Sequence, residues 1–156
     1  MAALAGAASP ALLAACGGDP GCGPREAVVD RVIDGDTIVA GGVKVRYLLV
    51  NAPEVTAGHA ACYGGNAAQF NTDLVLGKTV ELDYDVACQD MFGRTLAYVT
   101  VAGQDVSRLL IERGYACVLH IPPDGDARAD ELLAVQAAAR SARRGLWGAC
   151  DPIPCN

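Results

Sequence analysis

Residues 32–54 read VIDGDTIVAGGVKVRYLLVNAPE. Two glycine-bearing interruptions divide an otherwise apolar run. The first, Asp34-Gly35-Asp36, breaks the run in a turn and leaves two carboxylates protruding; the second, Gly41-Gly42, joins β segments at 37–40 and 43–50 as a hairpin. Arg46 stands ten residues beyond Asp36, about the length a two-stranded return needs to bring the chain back beside its start. Pro53 stops the last strand and sends Glu54 into a loop. A β-meander of this form gathers Asp34, Asp36, Arg46 and Glu54 on one side. Protruding carboxylates are hard oxygen ligands that suit Ca²⁺ or Mg²⁺ rather than a thiophilic metal. An arginine beside them grips a phosphate through two parallel hydrogen bonds, and a loop carboxylate orients or deprotonates a water. These are the parts of a metal-assisted phosphoryl-transfer site.

Upstream of this stretch, residues 27–33 form a first strand. Downstream, a loop at 51–63 leads to a helix at 64–76 that Gly77 ends, with Ala67, Phe70 and Leu74, and at its end Leu76, turned inward. Val80, Leu82 and Tyr84 alternate with Glu81, Asp83 and Asp85, the pattern of a half-buried strand. The turn CQDMFG follows, then a strand at 94–101 and a helix at 106–113 with Leu109 and Leu110 inward. A short extended segment at 115–120 and the loop IPPDGD precede a third helix at 127–144, whose apolar stripe is Leu132, Leu133, Val135 and Ala139. The order of elements is mixed α+β and predicts a five-stranded OB-type Greek-key β-barrel with three packed α-helices. That fold by itself licenses no particular chemistry.

The motifs I-D-G-D-T at 33–37, R-x-L-L-V at 46–50, A-P-E at 52–54, F-G-R-x-L-A-Y at 92–98 and G-L-W at 145–147 occur in this order. In that order and spacing the sequence resembles the staphylococcal nuclease (thermonuclease) family over residues 27–148. The resemblance implies a calcium-dependent endonuclease that hydrolyses DNA and RNA at the 5′-O–P bond. It places Asp36 as a calcium-ligating carboxylate and Ala52 as a backbone-carbonyl ligand, with Arg46 and Arg94 clamping the scissile phosphate and Glu54 as the water-directing group. Asp34 is read as a carboxylate behind the ligands or as a plain turn residue.

The sequence departs from the family pattern at Asn51, where a second ligating Asp is usual. An amide oxygen brings no charge, and calcium affinity follows the charge of the ligands, so a higher metal requirement is expected. Phe92 stands where the family has a Tyr; it stacks a base or covers the core. Tyr63 and His120 are further candidates for substrate contact, and Met91 replaces a residue that is often basic.

The chain has 156 residues, enough for one domain with a core, and its net charge of −6 argues against a non-specific nucleic-acid coat. An enzyme acting on a polyanion needs only local cations and a metal. Aromatic residues make up 5% of the chain, so the core is expected to be aliphatic. Seven cysteines in so short a chain point to an oxidising compartment. Residues 1–16 read as a signal leader ending in a lipobox-like LAACG, in which Cys16 is the lipidation position; a simple secretion signal and a disordered tail are the other readings. A Gly/Pro linker at 17–26, the domain at 27–149 and a cysteine-containing tail at 150–156 complete the organisation, and the expected protein is an extracytoplasmic monomer. Six cysteines remain, for which fifteen pairings exist. The favoured set is Cys62–Cys88, Cys117–Cys150 and Cys22–Cys155; no Cys-x₂-Cys spacing supports zinc. The rival to a nuclease is a weak or inactive OB module binding nucleic acid or a protein at the envelope, for which Asn51 speaks.

Overall fold

The structure, a computed structural model, describes residues 21–56 and 59–155. The leader with Cys16 and the start of the 17–26 linker lie outside them. The elements are β1 (Glu26–Val32), β2 (Thr37–Ala40), β3 (Val43–Tyr47), β4 (Leu49–Asn51), β5 (Val55–Thr56), β6 (His59–Ala60), α1 (Gly64–Val75), β7 (Thr79–Asp83), β8 (Thr95–Val101), β9 (Gln104–Asp105), α2 (Val106–Arg113), β10 (Cys117–Leu119), α3 (Ala129–Ser141) and α4 (Leu146–Ala149). Antiparallel pairs join β3, β2, β1, β7 and β8 in that order. A parallel pairing of β3 with β8 then closes the sheet on itself. This is the expected five-stranded OB-type barrel, with three helices of two turns or more packed around it and the single-turn α4 in addition.

Alternation explains the closure. Val29, Ile38, Val45, Val80 and Val99 point inward, and Leu110 and Ile111 of α2 and Leu132 of α3 close the ends, all almost completely buried. The core is aliphatic, as expected, apart from Tyr47 and Tyr98.

Several boundaries differ from the sequence expectation. The single strand expected over 43–50 is two strands, because the chain turns at Leu48 and Leu49 takes φ 62°, a left-handed conformation that breaks the line of β3. The chain there leaves the barrel: Leu48 N–H donates to the Ala97 carbonyl, and β4 turns to pair with β10. Leu76 is 46% exposed, since α1 ends at Val75 and Val75 is the inward residue. In α2 the buried pair is Leu110 and Ile111, with Leu109 at the margin. Leu133 of α3 is 44% exposed, because its stripe runs through Ala129, Leu132 and Ala139. The loop at 51–63 contains the small β5–β6 hairpin.

All six described cysteines are bridged, but not in the favoured pairs. The bridges are Cys22–Cys88, Cys62–Cys150 and Cys117–Cys155, with Cα–Cα distances of 4.9, 5.9 and 5.8 Å. Cys62 does not reach Cys88, because the start of α1 faces the end of α4, whereas the turn carrying Cys88 lies against the N-terminal arm. That arm is held alongside β7: Leu82 N–H donates to the Arg25 carbonyl, and Tyr84 O–H to the Pro24 carbonyl.

Candidate active site

The Asp-Gly-Asp turn is shaped by what lies beneath it. A Cβ at Gly35 would come within 2.5 Å of the Ala52 methyl and 2.8 Å of the Ala67 methyl, so the turn descends onto the 51–54 segment and α1 only with glycine at its centre. Asp34 accepts the Asp36 N–H at 3.0 Å, which fixes the second carboxylate. The Asp36 side chain then points inward and is 5% exposed. One of its oxygens accepts from the Thr37 hydroxyl at 2.9 Å; the other accepts the Ala52 N–H at 2.7 Å and faces Arg46 Nη2 at 3.2 Å. The β2–β3 register places Arg46 opposite Thr37, so the hairpin return delivers the guanidinium to Asp36. Arg46 is 8% exposed, and its Nη1 donates to the carbonyls of Tyr47 and Val50. Those contacts fix the plane of the guanidinium.

Burial pushes the Asp36 carboxyl up to about 7; Asp34 adds to the rise, while Arg46 and the Ala52 N–H oppose it. Arg46 is lowered, first by burial and then by the nearby charge of Arg94, with Asp36, Asp34 and Glu54 pulling the other way. The five charges expected from the sequence therefore share one electrostatic cluster. Arg94 comes from the turn before β8. Asp90 shapes that turn: one carboxylate oxygen accepts from the N–H groups of Phe92 and Arg94 at 2.9 and 3.0 Å, and the other accepts from Arg94 Nε at 2.7 Å. Desolvation alone would raise the Asp90 carboxyl, but these hydrogen bonds and the Arg94 charge hold it below its ordinary value. Glu54 is exposed in the loop after β4, its carbonyl tied to the Ala61 N–H at 2.9 Å. Asn51 ends β4, in register with Cys117 of β10.

Beside the arginines lies a groove of about 360 Å³, whose walls include Met91, Phe92, Leu119, Ile121 and Asp124. Phe92 is 75% exposed with its ring 5.5 Å from the Arg94 guanidinium, so it does not cover the core. Tyr63 and His120 do not line the groove, although His120 lies between Leu119 and Ile121, which do. Tyr63 stacks on Tyr115 and packs by Leu146 and Cys150, and His120 pairs with Asp126 at 2.7 Å.

Among the described residues no group of three or more His, Cys, Asp or Glu side chains forms a ligand cluster. The oxygens near the turn nevertheless suit a hard cation. A nearly buried carboxylate raised by burial and by a second acid is short of positive charge, and the carbonyl of Ala52 follows from a residue already bonded to Asp36. The residues that could hold a cation are Asp36, Asp34, Asn51 and the Ala52 carbonyl.

Sequence reading missed Asp90 and Asn71. Asn71 is fully buried in α1, accepting from the Tyr47 hydroxyl and donating to the Asp34 carbonyl, both at 2.9 Å. Its signal was a polar residue at the inward spacing Ala67, Asn71, Val75; that of Asp90 was an acid four residues before Arg94 in a Gly-containing turn. Leu119 and Ile121, which wall the groove, had no signal beyond being apolar.

The family profile described as Staphylococcal nuclease homologue matches residues 44–149. Endonuclease YncB of Bacillus subtilis is 35% identical over 126 residues, covering 76% of this chain and 60% of its own length. Endonuclease YhcR of the same organism is 32% identical over 146 residues, 84% of this chain but 12% of its own length. The Thermonuclease of Staphylococcus intermedius is 32% identical over 125 residues, 76% and 73% of the two chains. The chain thus spans less than two thirds of the first two of these relatives. It belongs to the staphylococcal nuclease family.

Proposed function

We propose that this chain is a calcium-dependent phosphodiesterase that cuts DNA and RNA at the 5′-O–P bond, working as a monomer outside the cytoplasm. The observation that carries this reading is the Asp36–Arg46 contact at 3.2 Å with Arg94, Asp34 and Glu54 in the same charge cluster, whose two arginines line an apolar groove. Arg46, held in plane by two carbonyls, offers its remaining donors to a phosphate, and Arg94, aligned by Asp90, approaches from the groove side. Two guanidiniums meet the charge that gathers on the phosphoryl oxygens in the transition state. Glu54 accepts a hydrogen bond from the attacking water and takes its proton as the new O–P bond forms. The P–O5′ bond breaks, and the departing oxygen beside Arg94 is protonated from solvent. Asp36, Asn51 and the Ala52 carbonyl, with Asp34 behind them, would hold a calcium ion, which would supply positive charge at the phosphate. Phe92 and the aliphatic walls of the groove receive a base by stacking and burial. The three disulfides support an oxidising compartment.

Plasmid degradation measured with millimolar calcium and with chelator tests the reading. Cleavage should require calcium, and Glu54→Gln should reduce it by about 10²–10⁴-fold. Asn51→Asp should lower the calcium needed for half-maximal rate by about tenfold, because it restores a charged ligand. Nucleic-acid binding without calcium-dependent cleavage would leave the OB-module reading, which Asn51 favours.

A further inference from the structure

Five of the ten arginines of this chain face a carboxylate: Arg25 with Asp83, Arg46 with Asp36, Arg94 with Asp90, Arg108 with Glu131 and Arg128 with Asp105. Arg113, Arg140, Arg143 and Arg144 are exposed and have no ion pair among the described residues, in a chain of net charge −6. The fold brings Arg113 and Arg144 together, while Arg140 lies over the Trp147 ring. A Cβ at Gly114 would lie 2.2 Å from the Arg144 carbonyl oxygen, and one at Gly145 would lie 2.2 Å from the Gly114 carbonyl oxygen. Two glycines thus let the end of α2 and the α3–α4 connection touch backbone to backbone, sealed by the Leu146 N–H to Gly114 carbonyl bond at 2.8 Å. Arg144 Nη1 reaches the Glu112 carbonyl at 3.1 Å, beside Arg113. The negative end of each helix favours a cation in its last turn, but that does not account for two arginines from separate elements lining one cavity.

The cavity is a groove of about 480 Å³ lined by Phe70, Glu112, Arg113, Tyr115, Arg144 and Gly145. None of these residues lines the groove at Arg46 and Arg94. Its aromatic wall is a stack: Phe70 lies 4.3 Å from Tyr115, and Tyr115 lies 5.5 Å from Tyr63. Tyr63 directly precedes α1, after the segment whose Ala61 N–H is bonded to the Glu54 carbonyl. Phe70 is seven residues further along α1, about 10 Å away along its axis. The stack therefore leads from the Glu54 loop to the arginines.

We propose that this groove is a second contact for the substrate strand, with Arg113 and Arg144 holding a backbone phosphate and Phe70, the end of the aromatic stack, receiving a base. Paired arginines beside aromatic faces have the chemistry of single-strand binding, in which cations track the backbone and rings take bases of any sequence. An anionic lipid surface would use the arginines but not a recessed aromatic wall. The inference rests on the nuclease reading for the identity of its ligand. It explains how a chain with an acidic balance retains a long polyanion: the strand is held at two places, and only long strands reach both.

The test measures binding of fluorescent single strands to the full oxidised chain in chelator, so that no cleavage is needed. With a strand of about 20 nucleotides, Arg113→Ala/Arg144→Ala should weaken binding about tenfold, and with a dinucleotide it should change nothing. The slope of log affinity against log salt should flatten by about 0.7 for the long strand, and Arg113→Lys/Arg144→Lys should restore that slope. Equal losses at both lengths, or unchanged binding of the long strand, overturn the second contact. So does a result in which these arginines matter for anionic vesicles and not for the strand. The outcomes separate the two readings. Calcium-dependent cleavage with unchanged long-strand binding in the double variant sinks this contact and leaves the nuclease. Length-dependent binding that the variant loses, in a chain that does not cleave, keeps the contact and sinks the nuclease.

Discussion

Burial holds Asp36 in a state that costs stability when its carboxyl is ionised. Its carboxyl lies at about 7 in the folded chain against an ordinary 3.8, so the native state holds this proton more tightly than the unfolded one. The sign follows: as pH rises from about 4 to about 7 the unfolded chain gives up the proton first, and folding stability falls over that window. Thermal melts in chelator should therefore show a midpoint that declines from pH 5 to pH 8, a decline that Asp36→Asn removes and that calcium reverses at pH 8. A midpoint flat with pH in the wild type would refute this. Asp90 acts differently, through Arg94. Asp90→Ala removes three hydrogen bonds that orient the turn and its guanidinium. It should lower kcat by about tenfold with little change in KM, whereas Arg94→Lys, which loses the planar fork, should cost more.

At the level of elements, α1 does more than cover the barrel. Its Asn71 links the Tyr47 hydroxyl on β3 to the Asp34 carbonyl, so the acidic turn is bolted to the helix from below. Asn71→Leu leaves two buried polar groups without partners and should destabilise the chain by about 2–3 kcal/mol in urea unfolding. Much of this architecture was legible in the sequence: glycine turns, alternation in β7 and the spacing of Asp36, Arg46, Glu54 and Arg94 name the barrel and gather the charges. What escaped depends on tertiary contact. Leu49 sits in an apolar run that reads as one strand, and its left-handed turn is imposed by the departure of the chain toward β10. Leu76 and Leu133 fit an apolar stripe, but the barrel surface ends before it reaches them. The roles of Asp90 and Asn71 depend on partners that no local pattern names.

For the molecule as a whole, the disulfides decide which loops are fixed relative to one another. Cys22–Cys88 braces the turn that carries Asp90 and Arg94; Cys62–Cys150 and Cys117–Cys155 fasten α1 and β10 to the C-terminal end. Each closes a long loop of the chain, and in the loop-entropy account each contributes about 4 kcal/mol. The linkage is also interlaced: among the six bridged cysteines, the first joins the third, the second joins the fifth and the fourth joins the sixth. No bridge connects neighbours along the chain. A polypeptide emerging from its N-terminus presents Cys22 with Cys62 before Cys88 has appeared, so oxidation in order of emergence gives a wrong partner first. Correct pairing then needs thiol exchange after the chain is whole. Reduced chain should accordingly regain its native melting transition in a glutathione buffer or with a disulfide isomerase, and yield mispaired species under air oxidation alone. The maturation of this protein is thus a shuffling problem, set by a crossing pattern of bonds rather than by the stability of the barrel they enclose.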